Sequence, residues 1–175
     1  MKNSGKTGFL ARTAIFLALL IAFQFATKSL GQLVTGSCVN LILAVCVMTC
    51  GLGSALIVAC VSPFFAFLLG IGPALIQIVP AIAVGNAVFV VLINFGREKF
   101  GFRGGEYVSV LPAAAVKFLS LLLLVTKLIL PHTGIPEAKA AILSAGFSWP
   151  QLVTALTGGL LAVPVANRIN KYLNR

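Results

Sequence analysis

The sequence predicts an all-α fold, an integral membrane bundle of six transmembrane helices forming one domain over residues 1–175, with both termini cytoplasmic. Three observations carry that expectation: an extreme apolar composition, six apolar runs of spanning length, and basic residues gathered in alternate loops. Of the 175 residues, 59% are hydrophobic and 9% charged, and the mean hydropathy is +1.08. A domain of this size in water needs a polar surface, and this chain holds too little polar material to make one. Lipid is the solvent that fits.

A helix rises about 1.5 Å per residue, so crossing a hydrocarbon core of about 30 Å takes roughly 20 apolar residues. Runs at 9–26, 33–50, 52–69, 74–94, 108–130 and 150–168 are of that kind. The first follows a basic start (Lys2, Lys6, Arg12) and superficially resembles a secretory leader, but no A-x-A-like site follows, so it is expected to be a retained span. The second carries Asn40 in an apolar setting. The third and fourth contain Pro63 and Pro80, which are expected to interrupt their helices and free backbone carbonyls for a neighbour or a wet cavity. The fifth carries Lys117 near its middle, and the sixth opens with Gln151 and Thr154. Between the fifth and sixth, residues 131–149 are long enough to act as a lid and include an amphipathic stretch, 136–145, expected to be a short helix.

Thirteen Lys and Arg against three acids give a net charge of +10. In a soluble chain this excess would suggest nucleic-acid binding, but here the charges lie between apolar runs and read as topology, with no nucleic-acid partner expected. With the N-terminus inside, Lys2, Lys6, Arg12, Arg97, Lys99, Arg103, Arg168, Lys171 and Arg175 fall on the cytoplasmic side. Lys28, Lys127 and Lys139 fall outside, and Lys117 belongs to neither side.

Enzymatic chemistry finds few components. Glu98, Glu106 and Glu137 are assigned to loops, His132 is the single histidine, and no acid/base pair lies within a span. Gly5-Lys6-Thr7 matches only the tail of a phosphate-binding loop, without the preceding glycine or strand that the motif needs. Cys38, Cys46, Cys50 and Cys60 sit in apolar runs without Cys-x-x-Cys spacing and read as small, reduced, buried hydrophobes. No metal, disulfide or cofactor is expected.

In the first run, Ala14, Ala18 and Ala22 recur every fourth residue, a spacing that drifts only about 40° around a helix and so forms one stripe. Small residues let two helices approach closely, which matters where lipid removes the hydrophobic drive for association. The sixth run has a similar stripe, Thr154, Gly158, Ala162 and Ala166. One is expected to face inward and the other outward.

Lys117 is the most expensive residue in the chain. An ammonium at mid-span costs about 2.5–3.5 kcal/mol on insertion scales, and no span contains a carboxylate to offset it. Snorkelling, bonding to free backbone carbonyls, and a cavity that receives an anionic ligand all answer that cost. Gln32, Asn40, Gln77, Asn86 and Gln151 are further polar side chains at or near membrane depth. Together with Lys117 they are the candidate substrate-binding residues, lining a cavity in the outer half.

These features resemble the S components of energy-coupling factor (ECF) importers, the vitamin-specific membrane subunits. The likeness rests on the basic start with Arg12-x-Ala14-x-x-x-Ala18, and on three segments: Thr35 to Asn40, Ser62-Pro63 through Gly70-Ile71-Gly72-Pro73, and Pro80 to Asn86. The resemblance implies a ligand pocket toward the outer side and a docking face at Ala14, Ala18 and Ala22 for a transmembrane T component coupled to two cytosolic ATPases. It further implies a bacterial plasma-membrane location and a vitamin-like ligand, with any ATP hydrolysis on partner chains. A stand-alone secondary transporter and a non-transporting membrane scaffold are the alternatives.

Overall fold

A computed structural model of the chain describes residues 4–100 and 104–173, so Lys2, Arg103 and Arg175 of the topology reading lie outside the described residues. All regular structure among the described residues is helical. Seven α-helices follow in order: α1 (Ser4–Thr27), α2 (Gln32–Cys50), α3 (Leu52–Leu68), α4 (Val79–Lys99), α5 (Gly105–Leu123), α6 (Glu137–Gly146) and α7 (Trp149–Leu173). Five stretches, Gly5–Leu30, Gln32–Cys50, Ile76–Lys99, Gly105–His132 and Glu137–Tyr172, are long and apolar enough to cross a membrane, as in a multi-pass membrane protein. The stretch Leu52–Leu68 is apolar but shorter, and its 17 residues rise about 25 Å.

Several local expectations are corrected. The fourth span was expected from residue 74, but Ile76–Ile78 form a short 3-10 turn and α4 starts at Val79. Pro80 therefore opens a helix instead of interrupting one, standing in the first turn, where a missing N–H has no intrahelical acceptor to lose. Pro63 does lie inside α3, and the helix runs through it. The glutamates are not in loops: Glu98 is in the final turn of α4, Glu106 in the first turn of α5 and Glu137 at the start of α6. Acids in first turns face the positive helix end, which favours extending the helix past the apolar run. Cys60 is exposed, unlike the buried Cys46, and all four thiols are free. The lid segment contains the expected short helix, α6.

The connection between α2 and α3 is a single residue, Gly51, at φ +84° and ψ 173°. That backbone conformation is essentially confined to glycine, and it turns the chain around without a loop. α2 is the central helix: residues 42–48 are all buried, as expected of a helix that is apolar all round. It packs against α7, α1, α3 and α4, while α5 packs on α4 and α7.

α7 reaches α2 through its stripe. A Cβ added at Gly158 would collide with Ser37 O and would lie 2.6 Å from Leu41 N, so the two backbones meet as closely as glycine permits. Thr154, Ala162 and Ala166 are buried along the same line. On α1, Ala14, Ala18 and Ala22 are exposed, so the two stripes divide as expected into one internal and one external.

The interior is mostly apolar, as in a protein folded in water, but the exterior is apolar as well and several polar side chains are buried. Leu10, Ile15, Leu19, Phe23, Leu119 and Leu161 are exposed, whereas Thr13, Gln24, Asn40, Asn86, Ser109, Lys117 and Thr154 are buried. A hydrocarbon exterior offers polar groups no partners, so most of these side chains bond inside the bundle; Gln24 Oε1 and Ser62 Oγ are buried without a hydrogen-bond partner.

Candidate functional site

The helices alternate in direction, and this separates two ends of the bundle. At one end lie the start of α1 and the ends of α4 and α7, with Lys6, Arg12, Arg97, Lys99, Arg168 and Lys171. There Arg97 Nη1 donates to Val47 O at 3.4 Å and Asn170 Nδ2 to Met48 O at 3.2 Å. Both carbonyls belong to the last turn of α2, where no intrahelical donor remains. Arg97 also lies 3.9 Å from Glu106, which accepts a hydrogen bond from Asn167 at 3.0 Å.

The opposite end opens into a cavity of about 580 Å³. Its walls come from every helix: Gln24 on α1, Asn40 on α2, Pro63 and Phe67 on α3, Asn86 on α4, Lys117 on α5, Phe147 just after α6, and Gln151 on α7. The loop Gly70-Ile71-Gly72-Pro73 contributes backbone and Ile71 to the rim. This size falls in the range of small-molecule sites, typically about 300–1,000 Å³.

Lys117 stands on the inner face of α5, with Ala113, Ala114 and Leu121 buried beside it. It is only 2% exposed, so it does not snorkel. Its Nζ donates to Asn40 Oδ1 at 2.5 Å and to Asn86 Oδ1 at 2.7 Å, and lies 5.2 Å from the centre of the Phe89 ring. Side-chain carbonyls thus hold the ammonium, where backbone carbonyls were one of the expectations. The contacts are dipoles and a ring face, and they leave the charge itself uncancelled. The three carboxylates are committed elsewhere or distant in the fold: Glu98 accepts from Asn94 at 2.8 Å, Glu106 faces Arg97 and Asn167, and Glu137 begins α6.

Asn40 has a second role. Its Nδ2 donates to Gly36 O at 2.9 Å and lies 3.4 Å from Thr154 Oγ1, linking α2 to the buried stripe of α7. Asn40, Asn86 and Lys117 therefore form one network, contributed by α2, α4 and α5, at the inner limit of the cavity.

Gln32 and Gln151 line the cavity at its outer part, and both address a single acceptor. Gln32 Nε2 donates to Gly146 O at 2.5 Å and Gln151 Nε2 donates to the same oxygen at 3.1 Å. Gly146 ends α6, a helix with no buried residues, whose Ile142 and Leu143 cover part of the cavity. The two glutamines fasten this cover to the bundle. Gln77 is exposed on the short turn before α4 and is absent from the cavity wall.

The polar residues Gln24, Lys28 and Thr35 also line the cavity and were not among the candidate binding residues of the sequence. Gln24 on α1 is 9% exposed, and its Oε1 is buried with no hydrogen-bond partner. It sits near the end of the first apolar run, where an amide resembles an ordinary interfacial residue. Its signal was its phase: Gln24 follows the buried Leu20 by four residues, on the face of α1 opposite the alanines. Among the described residues no three His, Cys, Asp or Glu side chains gather in a way that could hold a metal ion. No protein-family model, curated protein or solved structure matches this chain.

Proposed function

We propose that the chain is the substrate-binding S component of an ECF-type importer in a bacterial plasma membrane, capturing a vitamin-like micronutrient with an anionic group from outside. In this reading it has six spans, with α3 as the short one, and both termini are cytoplasmic. The exposed alanines of α1 dock on a T component that works with two cytosolic ATPases. The chain itself performs no covalent chemistry.

The observation that carries this reading is the cavity of about 580 Å³ with an uncompensated Lys117 at its inner limit. Burying a cation in the membrane is costly, and ionisable residues kept at such depth generally mark ligand or ion paths. An anionic ligand supplies the charge that the chain lacks. The position of the cavity supports the orientation: it opens at the end opposite Lys6, Arg12, Arg97, Lys99, Arg168 and Lys171, and basic ends of membrane proteins face the cytoplasm. Capture from outside follows from that orientation.

The test is to purify the protein, identify small molecules carried through purification by mass spectrometry, and titrate them against the wild type and Lys117→Met. Loss of the ammonium is expected to weaken binding at least about 100-fold, which corresponds to roughly 2.7 kcal/mol for a charged hydrogen-bonded contact. Equal affinity in both proteins excludes the lysine as the anion contact. Transport by the purified chain alone, driven by an ion gradient in liposomes, would instead favour a secondary transporter.

A further inference from the structure

An ammonium can only donate hydrogen bonds, and this fixes the orientation of the two amides around Lys117. Each turns its carbonyl oxygen toward Nζ and therefore its NH2 group away. For Asn40 that NH2 is used, on Gly36 O and Thr154 Oγ1. For Asn86, no hydrogen bond from Nδ2 is made among the described residues, although the residue is 2% exposed and lines the cavity. Lys117 has three protons and two oxygen acceptors. A cation and an amide, joined by one 2.7 Å bond, thus hold spare N–H groups at the wall of a single cavity.

The opposite need appears on α1. Gln24 lines the same cavity, and its Oε1 is a buried acceptor without a donor. Neither end of this amide is tied by a hydrogen bond among the described residues, and the terminal torsion of glutamine is broad, so the carbonyl is free to turn to a ligand. A buried carbonyl left unpaired is a cost that a bound donor removes.

We propose that the cavity recognises an organic anion that also carries an N–H or O–H donor. The carboxylate or phosphate sits on Lys117 Nζ and Asn86 Nδ2, the donor goes to Gln24 Oε1, and Asn40 positions the lysine from the far side. The apolar body lies against Phe67, Ile82 and Phe147. This inference rests on the reading that the chain binds a small molecule, and adds what that molecule must present.

The experiment measures the melting temperature of the full chain in phospholipid-free detergent with three flat probes: 4-aminobenzoate, benzoate and methyl 4-aminobenzoate. The first has both groups, the second lacks the donor and the third lacks the charge. Stabilisation is expected at a concentration about tenfold lower for 4-aminobenzoate than for either of the others, as for one lost hydrogen-bonded contact. Lys117→Met should bring acid and ester to parity, and Asn86→Leu, which leaves the ammonium in place, should narrow the gap between them. Gln24→Leu should erase the advantage of the amino group while keeping acid above ester. It should also raise the melting temperature of the ligand-free chain, because it removes the unpaired carbonyl; a purely structural glutamine would lower it.

An ester that stabilises as well as the acid overturns the anion site, and an amino preference that survives Gln24→Leu overturns the donor contact. If Lys117→Met fails to fold, Asn86→Leu and Gln24→Leu decide. Stabilisation by a neutral or cationic molecule alone overturns this inference and leaves the binding-subunit reading standing, whereas a chain stabilised by no small molecule overturns both. Competition by phosphatidylglycerol equal to that of 4-aminobenzoate gives the site to a lipid headgroup and overturns the assignment to a free ligand.

Discussion

α1 and α7 carry the same sequence pattern, a small residue every fourth position, and the fold treats them in opposite ways. On α7 the line Thr154, Gly158, Ala162, Ala166 is buried, with Gly158 against the backbone of α2. On α1 the line Ala14, Ala18, Ala22 faces outward beside Ile15 and Leu19, while Thr13, Leu20 and Gln24 turn inward. The pattern states that a backbone can be approached closely; it does not state what approaches. In lipid this distinction matters, because an apolar exterior costs nothing and only the close fit drives association. A stripe covered within the chain is part of its stability, and a stripe left open is available to a partner.

Matched substitutions test this contrast, and the largest effect is expected on α7. Gly158→Leu forces a branched side chain into the space where even a Cβ meets Ser37 O and Leu41 N, which are backbone atoms unable to turn aside. Overpacking of this kind costs about 3 kcal/mol when helices cannot separate, enough to disrupt the fold of a marginally stable bundle. Ala18→Leu on the exposed stripe should change stability by less than about 0.5 kcal/mol. Thermal unfolding of both variants in detergent is the measurement, and similar losses at the two positions would remove the distinction between the stripes.

The next effect is functional. Ala18→Trp leaves the folded chain and its cavity intact, since the side chain points away from both, but fills the groove that a second helix would use. If the proposed importer reading holds, co-purification with a T component and its ATPases is expected to fall at least about tenfold, roughly 1.4 kcal/mol of association free energy, while affinity for the ligand of that reading stays at the wild-type value. Full assembly with a tryptophan at this position would mean that the open stripe of α1 faces lipid only.

The contrast also marks how far the sequence could be read. Apolar runs and their periodicity are local properties, so the helices were legible, and so was the cost of Lys117, which needs no neighbour to be recognised. Its partners were named as polar residues at depth, but their meeting was not legible. Asn86 and Asn40 lie 31 and 77 positions from the lysine, and contact between them depends on the rotation of α2, α4 and α5 about their axes. Gln77 carries the same signal in the sequence as Asn86, a polar residue within an apolar run. Because α4 starts at Val79, Gln77 lies on the turn before the helix and faces outward. Gln24 was not legible because the alanines that mark α1 in the sequence describe its other face.

The smallest expected effect lies where α7 and the segment following α1 reach the same acceptor. Gln151 from the start of α7 and Gln32 just after the α1–α2 turn both donate to Gly146 O, and α6 has no buried residue of its own to hold it. Each exposed or half-exposed amide bond contributes about 0.5–1 kcal/mol, so Gln32→Ala with Gln151→Ala should lower global stability by less than about 2 kcal/mol. Its local consequence is larger, because what remains to fasten the cover is chiefly the packing of Leu143 and Phe147 against the apolar cluster of Ile78, Leu121 and Val125. Hydrogen exchange across residues 137–146 should accelerate about tenfold or more in the double variant, while exchange in the buried segment 42–48 of α2 stays unchanged. Ligand dissociation should accelerate together with α6 exchange, since Ile142, Leu143 and Phe147 of this segment cover the cavity. If α6 remains protected without both glutamines, apolar contacts with Phe147 hold the cover and the two amides belong to the ligand instead.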